Sequence, residues 1–402
     1  MSTSPQPDLQ PTISAGVGAF YERAGGFLIP LAATVLAFFI GGLVVLATGT
    51  NPLTAYKAIF EGTGLTWFIP GGDTAAEARD LQQTLIVMTP LIFTALAVAI
   101  AFRCGMFNIG GQGQYWVGLL AALTVGMHLT GLPLGVHVTI CILAAVGAGA
   151  VWGGIAGLLK ATVGAHEVIS TIMLNWIAIW AGRWLVELGG PLQGDEPSTP
   201  RSNDIADTAK LSEVWSWGSL QPLHAGIFIA LFALVFYHLL LNRTTLGYEV
   251  RAVGFNPEAA RYSGISVGKN YFLALAISGA FAGTAGAMDI LGWKYHLAEN
   301  DFPVGAVGFI GIAVALLGRN KAVGILFAAL LFAALNVGTQ GRQLPADFPG
   351  ELASNLSTMI QALIILFVGA ELLIVYIWTS RRRIWGGPRR VDPDLKQEPA
   401  AP

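Results

Sequence analysis

Apolar runs of about spanning length follow one another along the chain, separated by short polar breaks. Measured against the roughly 20 apolar residues a helix needs to cross a bilayer, ten runs stand out. They lie near residues 26–48, 82–102, 114–130, 134–159, 168–188, 223–241, 269–291, 305–317, 321–339 and 356–378. The pattern predicts an all-α polytopic membrane protein of about ten transmembrane helices. Residues 1–25 form an N-terminal tail, 26–378 the membrane domain, and 379–402 a basic, disordered tail. Only Arg23 precedes the first run as a basic residue, a poor start for a cleaved signal, so that run reads as a retained helix.

Composition agrees with this reading. Hydrophobic residues make up 54% of the 402 and charged residues only 11%, less than half of what soluble domains carry, and the mean hydropathy is +0.62. Fifty glycines and eleven tryptophans suit close-packed membrane helices with interfacial aromatic anchors. A net charge of −2 offers no footprint for nucleic acid. Cys104 and Cys141 sit in or beside apolar runs, which argues against a disulfide framework. No Cys, His and carboxylate spacing suits a metal.

Lys and Arg set the orientation. With both termini in the cytoplasm, only seven of the 22 basic residues fall on outer loops and the adjoining helix ends. The outer loops 49–80 and 189–219 are rich in Asp and Glu. That distribution requires an even number of crossings and places 242–268 inside.

Two segments are broken. "RCGMFNIGGQGQY" (103–115) follows the second run, and "ENDFPVGAVGFIGIAVALLG" (299–318) follows the seventh. Glycines with Asn108, Gln112 and Gln114 at membrane depth must be buried in protein or line a wet cavity. Paired breaks of opposed direction suggest an inverted repeat, 82–188 against 269–378, with a solute route at its interface. Close helix packing explains the glycines equally well, and explains the three amide side chains less well.

The longest inner loop holds "GFNPEAARYSG" (254–264). Asn256 suits an N-cap, Pro257 the first helical position, Glu258 the positive helix end, and Gly264 a left-handed stop. No phosphate loop G-x-x-x-x-G-K-[ST], no H-E-x-x-H and no G-x-S-x-G occurs. Within the runs only Glu371 lies deep, with Asp289 near an outer end, too little for an ion relay. A transporter without its own energy source needs a handle for a separate motor. This short helix, with Arg261 and Tyr262, fits that role. A solvated turn is the plainer alternative.

At these residues the chain resembles a known family. "FNIGGQGQ", "GAHEVISTIMLNWIA", "LGYEVRAVGFNPEAARYSGI" and "GFIGIAVALLGRN" are similar to the inner-membrane permeases of ABC importers for nucleosides. That group extends to ribose-type sugars and, more distantly, branched-chain amino acids, and the likeness runs from about residue 80 to 340. It implies a non-catalytic permease in the bacterial cell membrane. The expected partners are an ATP-binding subunit that holds ATP and Mg, a second homologous permease chain (as heterodimer or homodimer), an extracytoplasmic binding protein and lipid. No cofactor is expected in this chain. Asn108, Gly110, Gln112, Gln114, Asn175, Trp176, Gly305 and Phe309 would line the route, and Asn256, Pro257, Glu258, Arg261 and Tyr262 would couple to the ATPase. Relatives often carry Glu where Gln112 stands; Gln keeps hydrogen-bonding capacity and drops the charge, which disfavours a cationic contact. His166 and Glu167 read as a helix start. The alternatives are a simple-sugar permease of the same kind or, in a different class, an ion-coupled transporter or channel.

Overall fold

The computed structural model describes residues 15–69, 71, 74–216, 222–302, 306–339 and 350–369, by their backbone alone at 15–29, 74 and 350–354. Helices dominate. In chain order they are α1 (Ala15–Ala47), α2 (Pro52–Gly62), α3 (Thr74–Arg103), α4 (Gly111–His128), α5 (Leu134–Val163), α6 (Glu167–Val186), α7 (Gly226–Arg243), α8 (Thr245–Phe255), α9 (Pro257–Tyr262), α10 (Val267–Asp289), α11 (Val307–Leu317), α12 (Ala322–Gly338) and α13 (Gly350–Gly369). A small antiparallel hairpin, β1 (Glu213–Trp215) with β2 (Leu223–His224), precedes α7.

All ten apolar runs fall at least in part on helices. Among the described residues, six helices are long and apolar enough to cross a membrane, and three apolar ones are shorter: Val307–Leu317, Ala322–Gly338 and Asn355–Gly369. The run boundaries shift where polarity ended a run without ending the helix. α3 starts at Thr74, not 82, because Glu77, Arg79 and Asp80 continue it. α1 likewise starts at Ala15, ahead of 26. The inner loop 242–268 is mostly helical, with α8 ahead of the expected short helix. Gly305, Glu371, residues 1–14 and the tail 379–402 lie outside the described residues.

Glycines at four-residue spacing let α5 and α10 touch through their backbones. Gly149, Gly153 and Gly157 face Gly279, Leu275 and Phe272; a Cβ on Gly157 would lie 2.8 Å from Phe272 Cα, and one on Gly149 2.9 Å from Gly283 Cα. Such small-residue stripes replace the hydrophobic effect as the source of association where lipid is as apolar as leucine. Packing partners come in matched sets. α10 packs on α5 and α4, and α3 packs on α12 and α11; α6 lies on α4, and α13 lies on α11.

α7 runs between two opposite ends of the bundle, about 27 Å apart at 1.5 Å per residue. One end carries α8 and α9. The other is covered by the segment after α6, which runs beside 291–299: Ser202 N donates to Leu297 O (2.8 Å), Ile205 N to Tyr295 O (2.9 Å) and Leu211 N to Leu291 O (2.8 Å). Ala206 N donates to Gly126 O at the end of α4, and His137 Nδ1 meets Thr208 Oγ1 at 2.8 Å. Arg183 of α6 pairs with Glu299, and Lys294 with Asp301 at 3.3 Å.

Candidate functional site: the helix breaks and the α8–α9 face

The chain leaves α3 at Arg103 and enters α4 at Gly111 through an irregular stretch, so several backbone groups lose helical partners. Buried side chains supply them, as a membrane interior requires. Asn108 Nδ2 donates to Gln114 Oε1 (2.9 Å) and to Ser278 Oγ on α10 (2.6 Å), while its Oδ1 accepts from Gly110 N (2.8 Å). Ser278 passes the chain of bonds to Ala97 O on α3. Asn175 on α6 accepts from Gly113 N at 2.7 Å and donates to Ile109 O at 2.9 Å. Asn108, Gln114 and Asn175 are buried, and their polar atoms are used within the chain. Gly110 is tight as well: a Cβ there would sit 2.9 Å from Thr171 Cβ and 3.0 Å from Asn108 Oδ1.

Gln112 differs from its neighbours. Its Oε1 accepts from Gly308 N, in the first turn of α11, at 2.8 Å. Among the described residues its Nε2 has no partner, although Gln112 is only 1% exposed. A buried unmet amide costs about 1–3 kcal/mol. A Cβ on Gly308 would lie 2.5 Å from Gln112 Cα, so the starts of α4 and α11 are in backbone contact. Phe309 is 46% exposed beside this contact. Trp176 is 55% exposed, on the face of α6 that also shows Trp180 and Trp184, opposite the Asn175 face. The structure thus groups Asn108, Gly110, Gln112, Gln114 and Asn175, and leaves Trp176 on another surface.

At the other site, Asn256 caps α9 as its type suggests, its Oδ1 accepting from Glu258 N and Ala259 N at 3.0 Å. Pro257 opens the helix, Gly264 stops it at φ 81°, and Arg261 lies 3.6 Å from Glu258. Tyr262 is 92% exposed and Phe255, at the end of α8, 91%. The capped helix pair thus leaves two aromatic rings bare. The face is joined to the first break. A Cβ on Gly254 would sit 3.0 Å from Cys104 C, and Gly105 needs its φ of 74° to pass Gly254. Asn270 of α10 also donates to Glu249 of α8, at 3.1 Å.

The sequence pattern of the family described as "Branched-chain amino acid transport system / permease component" matches residues 81–369, from α3 to the end of α13. The chain belongs to this permease family. The guanosine ABC transporter permease protein NupP of Bacillus subtilis (strain 168) is 37% identical to it over 359 residues, covering 89% of this chain and 97% of that protein. The nucleoside ABC transporter permease protein NupB of Lactococcus lactis subsp. cremoris is 33% identical over 86% of this chain and 92% of that protein. The glucose ABC transporter permease protein TsgB13 of Haloferax volcanii is 34% identical over 84% and 86%. The protein is therefore a multi-pass membrane permease.

Several residues of the permease's sites carried no signal in the sequence. Ser278 is one small hydroxyl within an apolar helix, and only its bonds to Asn108 and Ala97 mark it. Phe255 is an ordinary apolar residue by type, and only its place at the end of α8 leaves it bare. At the end of the bundle that carries α8 and α9, Asn320 O accepts from both Arg103 Nη2 and Tyr237 Oη at 3.0 Å, a junction of residues 83 and 217 positions apart. His166 and Glu167 do start a helix, and Glu167 pairs with Lys160 at 2.7 Å.

Proposed function

We propose that the permease is the membrane subunit of an ATP-driven importer and carries nucleosides. The observation that supports this most is the match to a guanosine permease over nearly that protein's whole length. In this reading the chain crosses the membrane ten times with both termini in the cytoplasm. Residues 82–188 and 269–378 are inverted copies, and α8–α9 faces the cytoplasm. The matched packing sets support the repeat: exchanging α3, α4, α5, α6 for α10, α11, α12, α13 converts one set into the other.

The motor is a separate ATP-binding subunit holding ATP and Mg, docked on Phe255, Tyr262 and the α9 helix framed by Asn256, Pro257, Glu258 and Arg261. The Gly254–Gly105 contact and the Asn270–Glu249 bond then carry its movement to the first break and to α10. A second permease chain completes the route, and an extracytoplasmic binding protein delivers solute to the end covered by residues 187–216. Asn108, Gln114 and Asn175 hold the break open in shape, while Gln112 and Phe309 stand at the route. A simple sugar is the second reading, favoured by the glucose permease relative.

Reconstitution of the complete importer in proteoliposomes tests the proposal. Uptake of guanosine that depends on internal ATP supports it. Uptake of glucose or ribose alone selects the second reading, and uptake that follows an ion gradient without ATP removes both.

A further inference from the structure

The first turns of α4 and α11 meet. A Cβ at Gly111 would lie 3.6 Å from Gly308 O, and Gly308 N is bonded to Gln112 Oε1. Neither helix has a side-chain bond from its cap residue, Gly110 in one case and Ala306 in the other. Each helix start carries a partial positive charge from its aligned peptide dipoles. Two such starts in backbone contact repel; Asn175 Oδ1 on Gly113 N and Gln112 Oε1 on Gly308 N relieve part of that repulsion, and a further electronegative group between them relieves more.

Gln112 supplies a second, independent sign. Because Oε1 takes the Gly308 N–H, the unmet atom of the same planar amide is the donor Nε2, within reach of the first turn of α11. Every other amide side chain of the break is spent inside the chain; this one keeps an unused N–H in a buried place. On either side of Gly308, Ala306 and Phe309 are exposed. For solute to reach Gln112 the first turn of α11 has to shift, since Gly308 is in backbone contact with it.

The geometry points to Gln112 Nε2, between the starts of α4 and α11, as the donor that holds an acceptor oxygen or ring nitrogen of the solute during passage. The site offers donors and positive helix ends, so it takes neutral solutes rich in hydroxyl, carbonyl or ring-nitrogen acceptors and rejects cations. This rests on the importer reading above, which places Gln112 at the route, and adds to it the atom and the chemistry of selection.

The complete importer in proteoliposomes, as wild type, Gln112→Glu and Gln112→Met, provides the test. Uptake of labelled guanosine, ribose and glucose is measured below half-saturation and expressed per assembled complex. Gln112→Glu keeps an acceptor for Gly308 N and loses the donor; Gln112→Met loses both. Both variants should fall by about tenfold or more, the scale of one lost ligand hydrogen bond. Wild-type rates in either variant overturn the inference. Normal Gln112→Glu with impaired Gln112→Met assigns the residue to the Gly308 bond alone. Failure of Gln112→Glu to assemble makes Gln112 a packing residue and overturns it too. Wild type that carries none of the three probes instead removes the importer reading, and the inference with it.

Discussion

Asn175 on α6 grips both sides of the first helix break, accepting from Gly113 N and donating to Ile109 O, 62 and 66 positions away in sequence. A single side chain therefore closes two backbone groups that the break had opened. Replacing it with Leu of similar size leaves both unmet in a buried place, at about 1–3 kcal/mol each. Asn175→Leu should lower the apparent melting temperature and yield of the detergent-extracted protein. Transport per remaining complex should change less than yield. Unchanged stability with lost transport would instead make Asn175 a solute contact.

Asn108 sits at the centre of the same network, with Gln114, Ser278 and Gly110 as partners. Asn108→Leu should act like Asn175→Leu, and joining the two should cost less than the sum, because both hold one break. Melting curves of the two single variants and the double variant decide this; strict additivity counts against a shared network.

The α8–α9 face gives a prediction about coupling. Arg261 is exposed and pairs only loosely with Glu258, at 3.6 Å, so its charge matters little to the fold. Arg261→Glu, or a Gly-Ser run in place of Pro257–Ala260, should leave membrane insertion intact, weaken ATPase binding and reduce uptake. Co-purification of the ATPase beside an uptake assay checks this. Normal values of both in both variants would remove α9 as the docking helix.

Orientation is testable directly. Asp204 and Asn256 are exposed at opposite ends of α7. A cysteine at 204 should react with an impermeant maleimide from outside the cell, and one at 256 should not. The reverse labelling would invert the assignment of inside and outside.

The helices and the capped α9 were legible in the order of residues because their causes are local. Apolar run length sets where a helix can cross a bilayer. Asn256, Pro257 and Gly264 act within a turn of where they stand. The two broken segments were legible for the same reason, since closely spaced glycine and amide residues mark a departure from plain helix. What each amide does at the break was decided only by the tertiary structure. Asn108 and Asn175 are chemically equivalent, and their partners lie on α4, α10 and the break itself, brought close by the glycine contacts of α5 with α10 and of α4 with α10. The difference between Asn108, fully used, and Gln112, with one N–H to spare, depends on a neighbour 196 positions away, Gly308. Trp176 shows the same limit from the other side, since its place one residue after Asn175 turns it about 100° around the α6 axis, onto an exposed face. Hydrogen-bond satisfaction in a membrane interior is a property of the packed set of helices, because the partners that a break requires come from other helices.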